Sequence, residues 1–192
     1  MKLVLGIVGE IGSGKGTFAE YVKKKYGGDS FSFSHILRRL LDIVQLEKNR
    51  KNLQKISTVL RKNFGEDLLA KTIYLEVKES RKKWVVVDGV RRLEDIKYLK
   101  KIKGFRLVYL EADIEKRFKR IVRRKDKADD GKKKFATFKK DHLAETELQI
   151  KKIKKHADFI LSNNDTKKEF FEKIDKIFPP KADQPRAEKI KK

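Results

Sequence analysis

The chain has 192 residues, enough for one domain with its own core, and no cysteine, which excludes disulfides, thiolate metal sites and thiol catalysis. Its 51 lysines and arginines against 28 aspartates and glutamates give a formal charge of +23, which points toward an anionic ligand or surface. No apolar run approaches the roughly 18 residues of a membrane span, and the first strand begins too near the amino terminus for a signal peptide, so a cytoplasmic protein is expected.

In chain order, the apolar run Leu3-Val4-Leu5-Gly6-Ile7-Val8 reads as a first strand, followed by Gly9-Glu10-Ile11-Gly12-Ser13-Gly14-Lys15-Gly16-Thr17. Phe18, Ala19 and Val22 then repeat at helical spacing. A second strand is predicted over 30–34, and Ile36, Leu37, Leu40, Leu41 and Val44 line a helix face behind it. Ile56, Val59, Leu60 and Phe64 mark another helix, which Gly65 interrupts before Leu68, Leu69, Ile73 and Val77. A third strand covers 84–87, a helix follows with Leu93, Ile96 and Leu99, and a fourth strand covers 106–111. Ile114, Phe118, Ile121 and Val122 give the next helix, and a charged stretch at 124–134 suits a short lid. The last strand is 159–162. The last helix, with Phe170, Ile174 and Ile177, is entered through the capping-box pattern Thr166-Lys167-Lys168-Glu169.

Strands alternating with helices predict an α/β fold: a five-stranded parallel sheet with helices on both faces, and a ligand at the carboxyl ends of the strands. The expected domain is 1–178, with an acceptor-binding segment near 35–80. From 179 to 192 the chain is aperiodic and basic and reads as a disordered tail. The lysines are interleaved with acidic residues over nearly every predicted helix. The charge therefore reads as a solvated surface around an anion-binding enzyme, with nucleic-acid binding as the rival.

Three groups of residues carry chemistry. A strand feeding G-x-x-x-x-G-K at a helix start is a phosphate-binding loop, in which backbone N–H groups turn toward a polyphosphate and Lys15 reaches its outer phosphates. Asp88 ends an apolar strand beside that loop, where a carboxylate meets Mg²⁺-bound phosphates; an Asp-Gly turn is the plainer reading. Arg38 and Arg39, then Arg91 and Arg92, then Arg117, Arg120, Arg123 and Arg124 fall on three segments at the ligand edge, where guanidinium forks stabilise phosphoryl transfer. Arg39, Arg117 and Arg123 read equally well as surface ion-pair partners. His35, His142 and His156 have no metal-ligand spacing.

The loop 9–17 resembles the G-x-x-G-x-G-K-G-T loop of adenylate kinase and other nucleoside monophosphate kinases. Ser32-Phe33-Ser34-His35-Ile36-Leu37-Arg38 is similar to that family's S-T-G-D-x-L-R segment, and Asp88-Gly89-Val90-Arg91-Arg92 to its D-G-F-P-R segment. The resemblance implies a P-loop kinase that uses ATP and Mg²⁺. Gly9, Gly12, Ser13, Gly14, Lys15, Gly16 and Thr17 would bind ATP and Asp88 would stand on the magnesium side, acting through water. Arg38 and either Arg91 or Arg92 would hold the acceptor phosphate. Arg120 would stack on the base at the phosphate side, and Arg124 would bind phosphate. His35 stands where adenylate kinase has aspartate, and Ser34 where it has glycine.

The segment Ala157-Asp158-Phe159-Ile160-Leu161-Ser162-Asn163 resembles the A-D-x-x-I-x-N segment of dephospho-CoA kinases, which brings Asn163 to the ATP side. A monophosphate acceptor attacks through an oxygen that is already ionised and needs arginines rather than a base, whereas a ribose hydroxyl needs a base. The second strand ends in Ser-Phe-Ser-His with no acid, which favours a (deoxy)nucleoside monophosphate over dephospho-CoA. A nucleic-acid-stimulated ATPase is the rival from a different class. No N/T-K-x-D guanine motif appears, and monomer and homodimer are both open.

Overall fold

A computed structural model describes residues 2–124, 135–141 and 145–179. The predicted lid and tail lie almost wholly outside the described residues. Five strands, β1 (Leu3–Val8), β2 (Asp29–Ser32), β3 (Trp84–Asp88), β4 (Phe105–Glu111) and β5 (Phe159–Ser162), form one parallel sheet in the order β2-β3-β1-β4-β5. The helices are α1 (Lys15–Tyr26), α2 (Phe33–Ile43), α3 (Arg50–Phe64), α4 (Leu68–Glu79), α5 (Ile114–Arg124), α6 (Phe135–Asp141), α7 (Glu145–Ile153) and α8 (Lys167–Ile177).

The strands read as unbroken apolar runs because both faces are covered. Leu5, Ile7, Val86, Val108 and Leu110 pack with Phe18 and Val22 of α1 and Phe170 and Ile174 of α8. The alternate residues Val4, Val8, Val85, Val87, Leu107 and Tyr109 pack with α2, α4 and α7 on the other face. The predicted α/β sandwich is the observed one. Register places the chemistry: Ile7 pairs with Asp88, and Asp88 pairs in turn with Ser32. The end of β3 and the start of the loop after β1 therefore share the carboxyl edge of the sheet.

Two of the predicted elements depart from expectation by more than a single residue. The second strand stops at Ser32 rather than 34, because Ser32 Oγ accepts the His35 N–H at 3.1 Å and starts α2 at Phe33. The predicted helix through Leu93, Ile96 and Leu99 is two short 3₁₀ turns, Glu94–Ile96 and Leu99–Lys101. Ile96 and Leu99 are buried there as expected, but Leu93 is exposed. Val44, Val59 and Phe64, read as core-facing, are also exposed. The capping box of α8 is present, with Glu169 Oε2 accepting from Thr166 N at 2.8 Å.

Asp67, ahead of α4, accepts from Tyr98 Oη at 2.6 Å and Lys97 Nζ at 3.1 Å. The Tyr98 hydroxyl first, then Lys97 and Lys71, hold its carboxyl at about 2, below the usual 3.8. A depressed carboxyl stabilises the fold above its unfolded pKa, and that contribution disappears as pH falls through the folded value. Asp67→Asn should therefore lower the melting temperature near neutrality. The gap to wild type should close as pH falls from about 4 to about 2. A gap that stays constant across that window would rule out this linkage.

Candidate active site

The phosphate loop leaves β1 at Gly9 and enters α1 at Lys15. Two of its glycines, Gly12 and Gly14, sit in the left-handed region, where a side chain is strained. Gly12 has φ +81°, and a Cβ there would stand 2.7 Å from the Arg117 carbonyl; Gly14 has φ +103°, and a Cβ would stand 2.2 Å from Asn163 Nδ2. Around Gly16 nothing lies within 4 Å of where a Cβ would be, so packing does not dictate that glycine. No side chain caps the start of α1 and no acid sits in its first turn, so the helix terminus presents backbone N–H groups and positive potential to an anion.

Lys15 Nζ donates to the carbonyl oxygens of Gly9 at 2.6 Å and Glu10 at 3.1 Å, which lays the amine across the mouth of the loop. Ser13 is buried, with its N–H given to Glu10 O at 3.1 Å and its carbonyl accepting from Asn163 Nδ2 at 2.8 Å. Asn163 follows β5 and is itself held by Arg120, whose Nη2 donates to the Asn163 carbonyl at 2.7 Å. Burial pulls the Arg120 guanidinium's pKa down from its ordinary value, though an arginine remains charged at neutral pH.

A cavity of about 780 Å³ lies along this loop. Gly14, Lys15, Asp88, Arg91, Arg120 and Asn163 are among its walls. Asp88 Oδ1 is buried and has no hydrogen-bond partner. A second cavity of about 330 Å³ adjoins the first through Gly16 and Asp88, and Ser30, Ser32 and His35 also line it. Four cationic side chains, Lys15, Arg91, Arg120 and Lys167, and three carboxylates, Glu20, Asp88 and Asp165, thus line the cavity along the phosphate loop, and guanidinium and ammonium groups at such a loop suit a polyphosphate.

An AAA domain family model matches residues 8–139. The chain belongs to the AAA domain family. A UPF0200/UPF0201 protein of Archaeoglobus fulgidus is 32% identical over 178 residues, covering 91% of this chain and 54% of the relative; the chain thus spans about half of that protein. A UPF0200 protein of Saccharolobus solfataricus is 28% identical over 179 residues and is covered to 92%, as is this chain. In fold, the chain is similar to TT1252 from Thermus thermophilus (TM-score 0.64, 15% identity, 92% and 95% of the two chains covered). It is also similar to shikimate kinase from Bacteroides thetaiotaomicron (TM-score 0.61, 13% identity, 91% and 97% covered). The architecture is that of a P-loop NTPase, a nucleotide-binding fold.

Within this AAA domain the predicted site residues do not all converge. Loop residues Gly9, Gly12, Gly14, Lys15, Gly16 and Thr17 join Asp88, Arg91, Arg120 and Asn163 around the larger cavity. Arg38 is exposed on α2 and lines neither cavity. Arg92 turns to Glu66, with Nη1 to Oε2 at 2.8 Å, and Arg39 pairs with Glu76 at 3.4 Å. Arg124 ends α5, and its side chain lies outside the described residues.

Sequence reasoning missed two buried ion pairs. Arg117 and Glu10 approach to 3.3 Å beneath the loop. Arg61 of α3 and Asp95 pair at 2.8 Å, and Asp95 Oδ2 also accepts the backbone N–H groups of Arg91 and Arg92 at 2.9 and 3.1 Å. That carboxylate shapes the turn that presents Arg91 to the cavity. Arg117 left a signal in the sequence: it stands three residues after Ile114 and four before Ile121, on the apolar face of α5. Arg61 and Asp95 left none.

Proposed function

We propose that this AAA domain is an ATP-dependent phosphotransferase, moving the γ-phosphoryl group of ATP to a (deoxy)nucleoside monophosphate. The observation that carries this reading is the shared cavity, in which Arg91 and Asp88, delivered by β3, face the same space as Lys15 and Arg120. In this reading Lys15 exchanges the Gly9 and Glu10 carbonyls for the outer phosphates. Arg120 follows charge on the migrating group, and Arg91 holds the acceptor's phosphate. An ionised phosphate oxygen attacks without a base. Arg38, on α2, reaches the same acceptor if that helix closes on the bound nucleotide.

The buried, unpartnered Oδ1 of Asp88 fits a carboxylate that faces a hydrated Mg²⁺, and among the described residues no cluster of three His, Asp or Glu offers an all-protein metal cage. Bound there, Mg²⁺ would neutralise phosphate charge. Asp88→Asn should raise the Mg²⁺ concentration for half-maximal activity about ten- to a hundredfold. Thermal stability should change little, because Oδ1 has no hydrogen bond to lose. Superimposable magnesium titrations would make Asp88 a turn residue only.

The second cavity supports one alternative. It carries Ser30, Ser32 and His35 beside Asp88 and no arginine among its described lining, a composition suited to an acceptor hydroxyl such as that of dephospho-CoA. A coupled assay over ribo- and deoxynucleoside monophosphates, dephospho-CoA, DNA and RNA separates the readings. Turnover with at least one monophosphate is expected. Turnover with dephospho-CoA alone, or stimulation by nucleic acid alone, overturns the acceptor class. Arg91→Ala, and Arg38→Ala if α2 takes part, should raise acceptor KM about ten- to a hundredfold, the loss of a hydrogen bond to a charged group, with ATP KM nearly constant.

A further inference from the structure

The second residue of the phosphate loop is a glutamate, where negative charge opposes the ligand. Glu10 is only 9% exposed. A carboxylate buried beside a polyphosphate site repels it more strongly than an exposed one, because little water lies between them to screen the charges. Cations from two helices surround it. Arg117 of α5 brings Nη2 to 3.3 Å from Oε2, and Lys151 of α7 brings Nζ to 4.0 Å from Oε1.

Arg117 is itself fixed in place. Its Nε donates to Ala112 O at 2.9 Å, its Nη1 donates to Ile11 O at 3.2 Å, and its guanidinium stands over the Phe138 ring of α6 at 5.8 Å from the centroid. A side chain this constrained contributes both a charge that offsets Glu10 and a strut to the loop backbone at Ile11.

We infer that the Glu10–Arg117 pair tunes the loop's affinity for nucleotide through charge. Glu10 weakens binding in proportion to the ligand's negative charge, and Arg117, a positioning residue, limits that loss while holding the loop's shape. The inference rests on nucleotide binding at this loop and is independent of which acceptor is used. A loop held below its maximal affinity releases a diphosphate product faster, which matters because product release limits turnover in many enzymes.

Competition of ATP, ADP and adenosine against a fluorescent ATP analogue tests it on the full-length protein. Glu10→Gln keeps the size and an acceptor for Arg117 but removes the charge. It should tighten ATP at least about tenfold, the effect of one unit charge about 12 Å from another at an effective dielectric constant of about 20. ADP should tighten less, and adenosine not at all. Arg117→Gln should weaken ATP most, ADP less and adenosine not at all, and the double variant should return to within about threefold of wild type. If Arg117→Gln does not fold, Glu10→Gln alone decides. Weaker ATP binding by Glu10→Gln, or an equal shift for all three ligands, overturns the charge role and leaves a geometric one. A wild-type protein that binds none of the three would instead overturn the nucleotide reading itself.

Discussion

Lys15→Ala should abolish phosphoryl transfer, lowering kcat at least about a hundredfold, the scale seen when one preorganised donor to developing charge is removed. The amine is the one side-chain cation that the loop itself supplies to the cavity. Its contacts with Gly9 O and Glu10 O place it beside the phosphate path. Those two contacts are local, within six residues of sequence, so their loss should cost the fold only about 1 kcal/mol. Steady-state kinetics paired with thermal melting separates the two effects. A folded variant that keeps more than about a tenth of wild-type kcat, a barrier change of roughly 1.4 kcal/mol, rules out the phosphate role.

Asp95→Ala should have the opposite profile, a large loss of stability. Arg61 and Asp95 are both buried, and removing one partner leaves an uncompensated charge, at a cost of about 3–5 kcal/mol. Here the backbone N–H groups of Arg91 and Arg92 also lose their acceptor. Replacing Arg61 and Asp95 together with apolar residues should recover much of the stability, since neither charge is then stranded. The recovered protein should still have a raised acceptor KM, because nothing then shapes the turn carrying Arg91. Denaturant unfolding of both single variants and the double variant measures the coupling. Additive losses would mean that the pair does not act as a unit.

These two residues mark the range of what the sequence made legible. Lys15 announced itself through a local pattern: an apolar strand, spaced glycines and a helix start, all set by short-range geometry. The sheet was legible for a similar reason, since strands buried on both faces must be apolar throughout. Asp95 and Arg61 are 34 residues apart and were indistinguishable from surface charge in a chain with 79 charged residues. Only the fold brings them together. Helices α6 and α7 were missed because they offer few apolar residues; Phe138, Ile150 and Ile153 are the buried ones among the described residues. The early end of β2 turned on a single serine hydroxyl, which looks the same in a strand as at a helix cap.

The contact between Asn163 Nδ2 and Ser13 O has a consequence for how the protein is made. It spans 150 residues and joins the first loop of the domain to the end of its last strand. During synthesis the phosphate loop emerges early, yet the side chain that braces it emerges only after the rest of the sheet. Such long-range closure is slow to form and comes late in folding. Nucleotide binding therefore reports on completion: nascent chains or truncations ending before Asn163 should lack a formed loop, and bound ATP would favour chains in which β5 has docked over those in which it has not.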